Sequence, residues 1–151
     1  MVRIMVKKAA LSFFLGIFSL AGCTSPGAVG IGVLDGKLNP CPASPNCVSS
    51  QSPGGRHGME AIPYTMSGNE AKGRLRNIIK GMEGSSIVSE KDDYIHAEYC
   101  SALFRFVDDV EFYLDDTRKL IHFRSASRVG YYDFGVNRKR MEAIREKFLA
   151  P

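Results

Sequence analysis

The chain has 151 residues, 20 Lys+Arg against 16 Asp+Glu for a formal net charge of +4, four cysteines and no tryptophan. Residues 1–22 hold Arg3, Lys7 and Lys8 and no acid, so the remainder carries 17 basic against 16 acidic residues. Outside the last fifth of the sequence no Lys/Arg block remains of the kind that neutralises phosphate backbones, which excludes a nucleic-acid partner. Residues 23–151 suit one domain with a linker, without internal repeats.

The chain opens with basic residues, then an uncharged run over residues 9–22 that ends Leu20-Ala21-Gly22-Cys23. Its 14 residues fall short of the roughly 20 that a membrane-crossing helix needs, so residues 1–22 are read as a cleaved targeting segment. This arrangement resembles a bacterial lipoprotein signal. The resemblance implies a diacylglycerol thioether on the Cys23 sulfur, cleavage before it, and a further acyl chain such as palmitate on the new amine. Two or three chains anchor stably where one binds only marginally. Thr24 in second place, rather than Asp, is similar to lipoproteins delivered to the outer membrane, facing the periplasm.

Residues 23–58 are rich in Gly, Pro and Ser and read as a tether followed by an irregular clamped segment. The clamp is a Cys41–Cys47 disulfide, favoured because Pro42 and Pro45 pre-bend the intervening loop. A Cys47–Cys100 bridge closes a longer loop and is the alternative. With the local bridge, Cys100 becomes a small buried apolar residue. The spacing of the cysteines and the absence of a nearby His pair indicate no metal site, and no cofactor fingerprint occurs.

Residues 59–151 hold the regular structure. Ile62-Pro63-Tyr64-Thr65 reads as a short edge strand, because Pro63 cannot donate to a ladder. Ser67 and Glu70 form a capping-box pair before a helix whose stripe is Ala71, Leu75, Ile78, Ile79 and Met82, ended by Gly81 and Gly84. Period-two alternation then gives four strands. In the first hairpin Lys91-Asp92 is the turn, with Val88 facing Ile95. In the second, pairing Leu114 with Lys119 sets Phe112 against Ile121, Val110 against Phe123, Glu111 against His122 and Asp109 against Arg124. Asn137 caps a last helix with Met141, Ile144 and Phe148 on one face. The expected fold is α+β: an antiparallel sheet of four to five strands with two amphipathic helices on one face.

Three motifs carry a family resemblance. They are Cys41-Pro42-Ala43-Ser44-Pro45-Asn46-Cys47-Val48-Ser49-Ser50, the stretch from Phe106 to Phe112, and the stretch from Arg124 to Arg138. Together, over about residues 38–149, they resemble an uncharacterised bacterial family, domain of unknown function 1499. The resemblance implies an envelope or exported protein and supplies no reaction.

The candidate site lies in the last motif. Arg124 and Arg128 end a strand, Tyr131 comes next in a Gly-bounded turn, and Asn137 and Arg138 open the helix. Helix-start amides and forked guanidinium donors suit an anion, and cations in the first turn oppose the helix dipole unless something offsets them. Local pairing of Arg124 and Arg128 with Asp109 and with Asp108 or Asp133 is the plainer alternative. No nucleophile elbow or zinc-protease motif occurs, and Asp108 and Asp109, being adjacent on a strand, point to opposite faces. The sequence therefore favours a non-enzymatic binding or structural module, held to the membrane by lipid, for an envelope partner or anionic small molecule. The alternative is a small periplasmic hydrolase using His122 or Tyr131 with Arg124 and Arg128.

Overall fold

The computed structural model describes Cys23, Gly27, Ala28 and residues 30–151; the expected targeting segment, residues 1–22, and Thr24 lie outside the described residues. Ten elements run in chain order: β1 (Val33–Leu34), β2 (Lys37–Leu38), β3 (Cys47–Ser49), β4 (Ile62–Pro63), α1 (Gly68–Lys80), β5 (Ser85–Lys91), β6 (Tyr94–Cys100), β7 (Val107–Asp115), β8 (Leu120–Ser127) and α2 (Val136–Leu149). The protein is α+β. A six-stranded antiparallel sheet runs β3-β8-β7-β6-β5, with β4 also on β8, and β1 and β2 form a separate small hairpin. The sheet exceeds the expected four to five strands because the cysteine-clamped segment donates β3 to its edge.

Both helices pack on one face. α1 lies against β5, α2 against β8, β3 and β4, and the helices touch each other. Ser67 caps α1 as its sequence demands: the hydroxyl accepts from the Glu70 N–H at 3.3 Å and the Glu70 carboxylate accepts from the Ser67 N–H at 2.9 Å. The stripe then buries Ala71, Leu75 and Ile79 fully, with Ile78 and Met82 at its margin. They meet Ile95, Val110, Phe112, Ile121 and Phe123 from the sheet and Met141, Ile144 and Phe148 from α2, forming one core.

Two registers differ from expectation. The second hairpin pairs Leu114 with Ile121 and Phe112 with Phe123 across a loop at residues 116–119, a slip of two residues. An even slip keeps every side chain on its expected face, so the apolar pattern satisfies both registers equally. The turn decides between them: the Asp115 carboxylate accepts from the Arg118 N–H at 3.0 Å and Lys119 takes a left-handed φ of 56°. In the first hairpin Lys91 pairs with Tyr94, and the ladder shifts between Ile87 and Ser89. That bulge turns Val88 out to solvent and sets Ile87, not Val88, toward the core.

Candidate functional site

Alternation along β6, β7 and β8 sends Tyr94, His96, Glu98, Asp109, Glu111, Arg124 and, just past the strand, Arg128 to the face away from the helices. In most small sheets that face meets water. Here it is covered: the Gly32 N–H donates to Glu111 at 2.7 Å, β2 lies across β7 and β8, and Gln51 ties the cover down by accepting from the Leu38 N–H and donating to the Gly36 carbonyl. Residues 30–42, expected as tether and irregular clamp, thus act as a lid over charge.

Beneath that lid are two linked ion-pair sets. Glu111, wholly buried, accepts from Arg124 at 3.2 Å, from the Tyr94 hydroxyl at 2.8 Å and from Gly32. Burial beside Glu111 pushes the Tyr94 hydroxyl well above its ordinary range. Asp109 accepts from Arg128 at 2.7 and 2.8 Å and from His96 at 2.8 Å, while Arg128 also bridges to Glu98. Burial alone would raise the Asp109 carboxyl, but the Arg128 and His96 hydrogen bonds outweigh it and hold it at about 2. The pairs anticipated for this face are exchanged accordingly. Glu111 meets Arg124 rather than His122, and Asp109 meets Arg128 rather than Arg124, both because of the two-residue slip.

Ligand atoms of His96, Glu98 and Asp109 lie within 4.8 Å of one another, close enough to hold a cation. The Arg128 guanidinium already fills that role against both carboxylates, so a metal ion would have to displace a buried, bidentate arginine.

Arg124 and Arg128 both line a cleft of about 470 Å³, bounded on the sheet side by Asp109, Ala126 and Ser127 and on the lid side by Asn39, Pro40 and Gly30. Within its wall Arg124 is 8% exposed, and its Nε is the one buried side-chain nitrogen or oxygen among the described residues that has no hydrogen-bond partner.

The other expected site residues lie elsewhere. Tyr131 is 71% exposed in the loop after β8 and does not line the cleft. Asn137 is not the cap of α2 but a buried hub inside its first turn. Its amide donates to the Asn46 carbonyl, Ser127 and Asp133, and its oxygen accepts from Ser125 and Arg140. Capping falls to Gly135, in a left-handed conformation at φ 77°, and to Asp133, whose carboxylate accepts from the Gly135 and Asn137 N–H groups. Asp133 is buried in part, which would raise its carboxyl, but these backbone donors lower it. The anion anticipated at this helix start is thus supplied by the chain itself. Arg138 donates to the Arg56 and Gly58 carbonyls, and Arg140 pairs with Asp108 at 2.6 Å, stacked over Tyr99.

His122 is stacked on Tyr113, and its Nδ1 lies 3.3 Å from the Ser50 hydroxyl, which itself accepts from the Phe123 N–H. Burial lowers the His122 imidazole below its ordinary range. It is not held by Glu111, yet neither it nor Tyr131 joins Arg124 and Arg128 in the cleft. Ser127 and Asp109 line the cleft with those arginines, but the Ser127 hydroxyl accepts from Asn137 and the Asp109 carboxylate is taken up by Arg128 and His96.

Cys41 and Cys47 are joined, with Cα atoms 5.6 Å apart, as the prolines between them suggest. Cys100, expected to be a lone thiol or to pair with Cys47, is instead bonded to Cys23, with Cα atoms 6.2 Å apart. A sulfur in a disulfide cannot also carry a thioether, so this bond and acylation of Cys23 are alternative states of one atom.

Fold and site define a small two-helix α+β domain whose second sheet face is a lidded, charge-paired layer opening into one arginine-walled cleft. The chain belongs to the family described as protein of unknown function DUF1499, whose model matches residues 37–148. That span contains the sheet, both helices to within a residue, and every charged member of the network. Neither a curated protein nor a solved structure matches the chain.

Proposed function

We propose that this protein is an envelope lipoprotein, held by acyl chains at Cys23 on the periplasmic side of the outer membrane, whose domain is a non-enzymatic binding module. The cleft beside Arg124 takes a small ligand through a single carboxylate. The observation that carries this reading is Arg124 in the cleft wall, a side chain whose Nε is buried and unpartnered. Leaving a buried donor unsatisfied costs about 1–3 kcal/mol, and an acceptor oxygen in the cleft toward which the Arg124 guanidinium turned its Nε would remove that cost. The ligand is small and carries no more than one negative charge because Glu111, Asp109 and Glu98, three carboxyl groups, already outnumber the two arginines they pair with. Asn39 and Ser127 are at hand to orient it.

The test is thermal denaturation of the protein titrated with acetate and, separately, with chloride at equal ionic strength. Acetate is expected to raise the midpoint of the wild type and not that of Arg124→Lys, which keeps a cation opposite Glu111 but loses the forked donors. Equal responses of the two proteins, or none beyond chloride, would remove the cleft as a carboxylate site.

A further inference from the structure

The apolar side chains that the fold leaves in water are gathered at one end. Of ten exposed large hydrophobic residues among those described, six lie in two loops. Leu103, Phe104 and Phe106 belong to the loop between β6 and β7, and Tyr131, Tyr132 and Phe134 to the loop between β8 and α2. Leu103 and Phe134 are each 80% exposed. The loops leave the same end of the sheet, since Ser127 pairs with Asp108 and the Arg128 N–H donates to the Val107 carbonyl at 3.1 Å. Each is held in shape: Phe104 stacks on Phe106, Tyr132 meets Phe134 edge to face, and the Ser101 N–H closes its loop onto the Phe106 carbonyl. Ordered aromatic rings kept in water at a loop tip are a cost that burial elsewhere offsets.

The chain itself says what covers them. Gly27 lines the cleft beside Ser127 and Arg128, at this same end. It stands four positions after Cys23, a reach of at most about 14 Å at roughly 3.6 Å per residue, whether or not Cys23 is bonded to Cys100. Cys23 indeed stands with Cys100, Arg105 and Val136 around a second cleft here. Exposed cations at this end, Arg56 and Lys139, outnumber the exposed acid Glu83, while Asp133 is engaged in the helix cap. Aromatic rings flanked by cations, close to the residue where the acyl chains would attach, suit the headgroup region of an anionic bilayer.

We propose that the two aromatic loops dock this end of the domain into the membrane surface, so that the protein lies with a fixed orientation rather than swinging on its tether. Which end faces the bilayer rests on the lipid-anchor reading above; the aromatic patch does not. Docking sets the long axis of the strands toward the membrane and turns the β1–β2 hairpin, beside Tyr113 at the other end of β7, away from it.

The chain has no tryptophan, so one introduced indole reports one position. Phe104→Trp, Phe134→Trp and, at the far end, Leu34→Trp are made in the full protein purified from membranes. Each is reconstituted in phosphatidylcholine/phosphatidylglycerol vesicles with and without brominated acyl chains. Docking predicts that emission at positions 104 and 134 moves to the blue and loses most of its intensity to bromine, while position 34 does neither. Three indistinguishable indoles in a protein that floats with the vesicles and carries acylated Cys23 would sink docking and leave the anchor standing. A blue shift without bromine quenching would mean that a protein, not lipid, covers this end, and would also overturn it. If Cys23 proves unmodified the anchor reading fails alone; docking is then upheld or lost by whether added vesicles quench the same two positions.

Discussion

Arg128 is the residue on which the covered sheet face turns. Its side chain is 9% exposed and pairs with Asp109 and Glu98 together. Asp109, held at about 2, has a folded value below its ordinary one near 3.8. The stability this represents is fully present above about pH 4 and is lost as pH falls through the folded value, because the unfolded chain binds the proton first. Arg128→Met is therefore expected to lower stability at pH 7 by about 3 kcal/mol, the usual cost of stranding a buried charge. Near pH 3 the penalty should shrink, since in the variant a protonated Asp109 needs no counter-charge. Urea denaturation of both proteins at pH 7 and pH 3 reads this difference. An equal loss at both pH values would mean that Arg128 contributes packing rather than charge.

Among the elements, α2 makes its most branched connection to the sheet through the side chain of Asn137. Asn137 joins β8, through Ser125 and Ser127, to the clamped segment, through the Asn46 carbonyl, while Asp133 caps the helix around it. Asn137→Ala leaves several buried polar partners unmet and should cost about 2–3 kcal/mol. Asn137→Asp should not restore it, because the amide donors are lost; chemical denaturation of the two variants checks both statements. Asn137 also marks what a sequence discloses and what it withholds. Asn at a helix start reads as a cap from residue type alone, and only the placement of Asp133 four residues earlier hints that another group has that task. The capping box at Ser67, the stripe from Ala71 to Met82 and the existence of four central strands were legible because each depends on nearest neighbours along the chain. The partners of Asp109 and Glu111 were not, since two registers put the same residues on the same faces. His96, Glu98 and Tyr94 were missed because a polar residue alternating outward on a strand normally meets water. Their signal would have been the acidic and basic residues opposite each other on three successive strands, together with a preceding Gly-rich segment long enough to lie across them.

For the molecule as a whole, the two states of Cys23 make different counts of titratable sulfur. Envelope-derived protein is expected to begin at residue 23 with an acylated cysteine and to yield one alkylatable thiol under denaturing conditions. That thiol is Cys100, with Cys41 and Cys47 oxidised. Intact mass combined with thiol alkylation measures both quantities at once. An unmodified Cys23 with no reactive thiol would establish the Cys23–Cys100 bond as the mature state. The margins of the sheet govern how neighbouring copies meet. On one side β5 is interrupted by the bulge at Val88; on the other, β8 is capped end to end by two short strands, β3 and β4, the second of which holds Pro63. Among the described residues the open edge of β5, seven residues long, is broken by that bulge, so a foreign strand meets no straight run of donors and acceptors along it. Many copies crowded onto one surface would therefore slide past each other without zippering into fibres.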